Sequence, residues 1–323
     1  MKRQRLKTQF RKNFNNWLLL ALTLVSILLF TALKPSFFSV NSFSSVAKQA
    51  PEIGLFTLAM MLPMLVGGID LSIIASANLS AILMTLYMKN ALEAGASTGL
   101  SIAVAVGICM AVCIAVGFIN GVVIACFKIP AMLVTLGMQM MLTGLSLGIT
   151  KGGTLSGYPK AFSAIGNGTL LGIPTQFYIF LTGVLVLIIV MQKTSFGVKL
   201  TMYGSNKVSA VFSGIREKTL LIKTHMLSGA YVGLAAIIMT SRLNSASAGT
   251  AASYLMRAIL IAVLGGVDPN GGSGKVSGVL LSVVLFQTIA TGLNIMKVNS
   301  YVVIALYGVL LLFAVVVRRR KAE

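Results

Sequence analysis

Apolar runs of about 17 residues or more recur along the chain, separated by short stretches rich in Gly, Ser and basic residues. As a helix rising ~1.5 Å per residue, such a run crosses the ~30 Å of hydrocarbon in a bilayer. The pattern predicts spans near 17–33, 50–67, 70–88, 99–127, 131–150, 174–192, 220–241, 254–266, 276–294 and 300–317. The run near 254–266 is too short to cross alone and reads either as a half-helix or as a helix extended by its neighbours. No polar stretch is long enough for a separate soluble domain. The predicted fold class is all-α: a polytopic transmembrane helical bundle of about ten spans. One membrane domain covers 17–317, between a basic N-terminal segment, 1–16, and a basic tail, 318–323.

Composition sharpens this picture. The chain is 57% hydrophobic and only 10% charged, which excludes an ordinary soluble protein of 323 residues. Its 26 basic residues against 6 acidic ones sit mainly at span ends. With ten crossings, eighteen basic residues fall on the N-terminal side, seven on the other, and Arg257 within the short segment. The positive-inside rule then makes the N-terminal side cytoplasmic, with both termini on it. This placement makes the positive charge a topology signal and an anionic-lipid contact; without an aromatic-rich polar face, nucleic acid is not an expected partner. The first apolar run is too long for a typical signal-peptide core and no A-x-A site follows it, so it reads as a retained span.

Two loops stand out. The external one, about 151–173, is rich in Gly and Ser. The cytoplasmic one, about 193–219, places Val208, Val211, Phe212 and Ile215 at helical spacing. A short amphipathic helix of this kind fits two uses, lying on the bilayer or docking in a partner's groove. Gly117 with Gly121, and Gly144 with Gly148, make GxxxG pairs that let helices pack closely. Cys109, Cys113 and Cys126 lie in apolar runs without metal-ligand spacing and read as buried structural thiols.

No enzyme constellation is visible. The single histidine, His225, reads as an interfacial residue at the start of a span. The stretch Asn270 to Val276 mimics a phosphate loop, but it lacks the first Gly and has Val276 where a hydroxyl would hold Mg²⁺. The expectation is therefore no cofactor and no metal on this chain. Asp70 has two readings: a helix N-cap, or a site of proton or cation coupling. The string Gly67-Gly68-Ile69-Asp70 recurs as Gly265-Gly266-Val267-Asp268, the kind of trace that a duplication leaves. These residues are candidate structural caps or gates. Asn78, Asn120, Gln139, Gln287 and Asn294 interrupt apolar runs, and Asn244 lies in a polar cluster, 241–247, at an outer span end. A buried amide without a partner costs about 2–7 kcal/mol, so these must face other helices or a wet pathway. Asn78, Asn120, Gln139, Asn244 and Asn294 are the candidate pathway residues.

The ordered motifs resemble one family, the permease subunits of bacterial ATP-binding-cassette importers for ribose and similar sugars. They begin with Pro35 to Asn41 and continue with Gly67-Gly68-Ile69-Asp70-Leu71-Ser72, Gly117 to Gly121, and Pro130 to Gly137. Ser241-Arg242-Leu243, Val263 to Gly266, Gly271 to Gly274 and Gly278 complete the set. The resemblance implies import of a monosaccharide or similar small polar solute across the cytoplasmic (inner) membrane. It implies two separate ATPase subunits using ATP and Mg, a second permease, identical or related, and an external solute-binding protein. The loop motifs Thr194 to Gly197, Gly204 to Asn206 and Ser213 to Ile215 resemble the family's coupling segment. This makes Gly197, Gly204, Asn206, Ala210 and Gly214 candidate ATPase-coupling residues. The chain departs at Met202, where Ala is frequent, and at Leu255 to Ile259, where Arg257 replaces a usual acid. That change is consistent with a solute other than ribose, such as rhamnose or a furanosyl autoinducer. An ion-coupled secondary carrier centred on Asp70 is the alternative function.

Overall fold

A computed structural model describes residues 14–299, 301–310 and 312. The basic N-terminus up to residue 13 and the tail 318–323 lie outside the described residues. The helices are α1 (Phe14–Leu33), α2 (Val40–Leu65), α3 (Ile73–Glu93), α4 (Thr98–Phe127), α5 (Ala131–Thr150), α6 (Lys160–Asn167), α7 (Thr175–Lys193), α8 (Ser195–Ser205), α9 (Lys207–Phe212), α10 (Glu217–Leu243), α11 (Tyr254–Leu264) and α12 (Val276–Ile295). A last helix, α13, covers Tyr301–Leu310. Nine of the ten predicted runs fall on one of these helices, and the described part of the tenth, 301–310, is helical; residues 313–317 of that run lie outside the described residues. The outer loop is more structured than expected. It contains α6 and two small antiparallel pairings, β1 (Leu155–Ser156) with β4 (Ser245–Ala246), and β2 (Thr169–Leu170) with β3 (Ile173–Pro174).

Among the described residues, α1, α4, α5, α7, α10 and α12 are long and apolar enough to cross a membrane. The chain is thus an all-α polytopic membrane protein. Helices α2 and α3 have the length but less hydropathy, and burial explains why. Every α2 residue from Ala50 to Leu65 is buried against other helices. A helix enclosed by protein can carry Gln49 and Glu52, provided neighbours satisfy them. It also starts ten residues before the predicted 50, because the Ser39 side chain caps it by accepting the Ser42 N–H at 3.3 Å.

The tightest helix pair is α4 with α10, and its glycines explain it. A Cβ on Gly117 would overlap the His225 carbonyl; one on Gly121 would press on the Ile222 Cα. From the other side, Gly229 faces the Cys113 carbonyl and Gly233 faces Met110. The first GxxxG thus meets a second one, and the two backbones touch. His225 lies inside this contact, fully buried, with its Nδ1 2.9 Å from the Leu221 carbonyl; it is not an interfacial residue. Gly144 and Gly148 meet nothing within 4 Å, so that face of α5 is open. Cys109 and Cys113 are buried on one face of α4 near the Ser80 hydroxyl, whereas Cys126 is exposed rather than buried.

Candidate functional site

The loop between α7 and α10 folds back on the bundle through glycines. The chain turns sharply after Lys193, and Gly197 lies so close to Met191 that a Cβ would overlap its backbone. At the far end of α8, a Cβ on Gly204 would overlap the carbonyl oxygen of Leu65, the last residue of α2. The Gly272 N–H donates to that same carbonyl at 3.0 Å. Gly271 in turn lies against Gly67 and Gly204. Backbone from α2, α8 and the 265–275 loop therefore meets with no side chain between. The phosphate-loop look-alike is thus a packing element: Gly271 and Gly272, at φ +102° and +79°, let the loop approach α2 and α8.

Asn206 separates α8 from α9 and caps α9, its Oδ1 accepting the Ser209 N–H at 3.0 Å. Ala210 is buried beneath α9. Val208, Val211 and Phe212 project outward, Phe212 being 88% exposed. Ile215 does not share their face. Gly214, at φ +82°, reverses the chain after α9, and Ile215 turns inward. The buried Tyr203 donates its hydroxyl hydrogen bond to Glu217 in the first turn of α10. Burial, and then the Glu217 carboxylate, push the Tyr203 hydroxyl well above its ordinary range, so it stays a donor.

The two Gly-Gly loops end α2 and α11 in the same way, by paired reverse bonds around a left-handed glycine. The Gly67 and Gly68 N–H groups reach Met64 and Pro63 carbonyls at 2.9 and 3.0 Å. The Gly266 and Val267 N–H groups reach Val263 and Ala262 carbonyls, both at 3.0 Å. The left-handed residues are Gly67 and Gly266, so Gly67 corresponds to Gly266, one place off the string alignment with Gly265. The repeat is one of capping chemistry, not of register. Asp70 is not the N-cap of α3; Ser72 holds that position. The buried Asp70 carboxylate accepts from the Ser72 N–H (2.9 Å) and hydroxyl (2.7 Å), and Asn120 donates to that hydroxyl at 2.9 Å. Thr135 accepts from the Leu71 N–H at 3.1 Å and donates to the Ile69 carbonyl at 3.0 Å. Three separated sequence motifs thus lock one buried loop.

At the other end, α11 is an 11-residue half-helix, about 16 Å long, preceded by the non-helical stretch 244–253, which begins with β4 and is irregular from 247 on. Asn78 braces that stretch, donating to the Ala248 and Thr250 carbonyls, both at 2.9 Å. Irregular backbone between membrane helices needs such partners. Asn244, at φ +53°, accepts from the Tyr158 N–H and the Ser163 hydroxyl, tying down the outer loop. Gln139 is half-buried on α5 and Asn294 is exposed near the end of α12. The five candidate pathway amides are therefore not gathered at one place.

Sequence reasoning missed Glu52. Its carboxylate is almost fully buried and pairs with Arg242 at 2.6 Å, joining α2 to the end of α10. Gln49, one turn earlier on α2, accepts from the Gln287 side-chain amide at 3.0 Å. Arg257 stacks between the rings of Tyr254 and Tyr307, its guanidinium carbon 5.3 and 5.2 Å from their centroids. An acid inside an apolar run, which needs a cation such as the Arg242 of the Ser241-Arg242-Leu243 motif, was the signal for Glu52.

The multi-pass bundle, with its glycine-meshed loop and half-helix, belongs to the class that its family names: a permease, the membrane component of a transport system. The family model for the branched-chain amino acid transport system permease component matches residues 42–315, and the chain belongs to that family. Among curated relatives, it is 31% identical to the ribose import permease protein RbsC of Bacillus subtilis (strain 168), over 92% of this chain and 91% of the relative. It is 29% identical to the RbsC of Escherichia coli (strain K12), over 94% and 95% of the two chains. It is 32% identical to the autoinducer 2 import system permease protein LsrD of Photorhabdus laumondii, over 93% and 90%. No solved structure matches it. As a multi-pass permease of this family it resides in the bacterial cytoplasmic (inner) membrane.

Proposed function

We propose that the chain forms half of the transmembrane pathway of an ATP-driven importer for a monosaccharide or similar small polar solute. Two such permeases, identical or related, pair; two separate ATPase subunits, using ATP and Mg, bind below; an external solute-binding protein docks above. The observation that carries this reading is the junction of Gly204 with Leu65 and Gly272. A push on α9 passes through α8 directly into the ends of α2 and the α11–α12 loop, because no side chain intervenes to absorb it. The exposed Val208, Val211 and Phe212 are the surface that an ATPase groove would take. In this reading the bundle has ten membrane-inserted segments, one of them the half-helix α11. The α8–α9 face is cytoplasmic. The start of α1 lies on that same side, since the Asn15 and Asn16 side chains donate to the Leu264 carbonyl and the Ser277 hydroxyl. The relatives are named for ribose and for autoinducer 2, and Arg257 favours a solute unlike ribose.

The test is a mild-detergent pull-down of the tagged chain from its native membrane. A stoichiometric ATPase should accompany it, and Val208→Ser with Phe212→Ser should release that ATPase without lowering the permease's thermal stability. Absence of any ATPase across several detergents sinks the proposal and moves the weight to an ion-coupled carrier. That rival places coupling on Asp70, and Asp70→Asn separates the two: the importer should keep most of its transport. The amide oxygen of Asn still accepts from Ser72, whereas a carrier loses its titrating group.

A further inference from the structure

Where α7 leaves the membrane and α10 enters it, the structure has a cleft of about 330 Å³ lined by Ser195, Phe196, Lys199, Gly214, Ile215, Arg216, Thr219, Leu220 and Lys223. Its depth follows from the two helices that bound it. Both are long and apolar enough to span, α7 ends at Lys193, and α10 begins at Glu217. The cleft therefore sits at headgroup level. Its chemistry is one-sided. Lys199, Arg216 and Lys223 are all exposed to it or at its rim, with the hydroxyls of Ser195 and Thr219 beside them. Glu217, the carboxylate next to Arg216 in the chain, is engaged by Tyr203 and does not line the cleft. The floor is apolar, made by Phe196, Ile215 and Leu220. Two helices also start here without a side-chain cap, α8 after Thr194 and α10 after Arg216, which adds positive potential.

We propose that this cleft holds the phosphate of an anionic phospholipid headgroup, with its apolar floor against the first carbons of the lipid. Three cations, two hydroxyls and no lining carboxylate suit a phosphate. An apolar floor opening beside two spanning helices suits a phosphate that arrives on a lipid. The bound lipid would fill the angle between α8 and α10 and so fix the coupling loop against the membrane. The proposal needs only that the chain spans the membrane, and it stands whether the transporter is ATP-driven or ion-coupled.

The experiment is native mass spectrometry of the purified full-length chain in neutral detergent, titrated with phosphatidylglycerol or phosphatidylcholine. Phosphatidylglycerol should bind at least tenfold more tightly. The triple substitution of Lys199, Arg216 and Lys223 to Gln should weaken it roughly 100-fold, about fivefold for each charge at the membrane surface. A control triple at Lys34, Lys128 and Lys151, exposed and outside the cleft, should leave binding unchanged. Thermal melting checks that each variant folds, and Lys223→Gln alone, at about fivefold, serves if the triple does not. Equal binding of the two lipids, or equal loss in the control triple, overturns the proposal. Displacement of the lipid by millimolar inorganic phosphate also overturns it, by making a soluble anion the occupant.

Discussion

Glu52 and Gly204 show how differently single residues are held in this bundle. Glu52 is a buried charge whose ion-pair partner is Arg242, and removing either strands the other. Glu52→Gln should destabilise the chain by about 3 kcal/mol, because Arg242 keeps its charge in a mostly desolvated place. Replacing Glu52 and Arg242 together by Leu should cost clearly less than either single change. Denaturant unfolding in detergent measures both, and additivity of the two single effects would refute the pair. Gly204 holds nothing by chemistry; it only leaves room. Gly204→Ala forces a methyl into the Leu65 carbonyl and must open the α2–α8 contact. The expected result is a loss of about 2 kcal/mol and faster proteolysis of the 193–219 loop. Motif matching pointed to Gly204, but nothing in the string revealed which backbone it touches.

Helices were legible in the sequence wherever lipid or open space surrounds them. Hydropathy located α4, α5 and α7 to within about a residue of their ends, because a lipid-facing helix must be apolar over its whole exposed length. It was weakest for α2, whose neighbours and not whose own apolarity make it stable. The GxxxG pairs carry the same lesson. Two identical spacings in adjacent helices have different fates, since only Gly117 and Gly121 find a partner helix with matching glycines. Gly117→Leu should abolish stable expression, whereas Gly144→Leu should leave melting of the isolated subunit unchanged. Melting curves of the two variants side by side make the comparison, and equal damage would refute the assignment of α5's open face. For the half-helix, Asn78→Ala removes two hydrogen bonds to the 244–253 stretch and should cost about 2 kcal/mol. Hydrogen exchange should rise in that stretch first. The pathway amides were the least legible part. Polarity within an apolar run says that a partner exists, and here Asn78, Asn120 and Asn244 all spend hydrogen bonds on bracing loops.

Across the whole molecule, two closely packed glycine loops, Gly204 of the 193–219 loop and the α4–α10 seam form a frame in which backbone touches backbone. The polar brace of Asp70, Ser72, Asn120 and Thr135 stiffens one corner; Glu52 with Arg242 pins the middle of α2 to the end of α10. The meshing at Gly204 has a further consequence for exchange between relatives. Because its contacts are carbonyl and amide atoms, its fit depends on where three chains run rather than on which side chains they carry. Grafting a foreign 193–219 loop onto this permease should therefore succeed or fail according to whether residues 63–68 and 270–274 travel with it. The unit that can be swapped is a discontinuous one, three short pieces of chain inherited together.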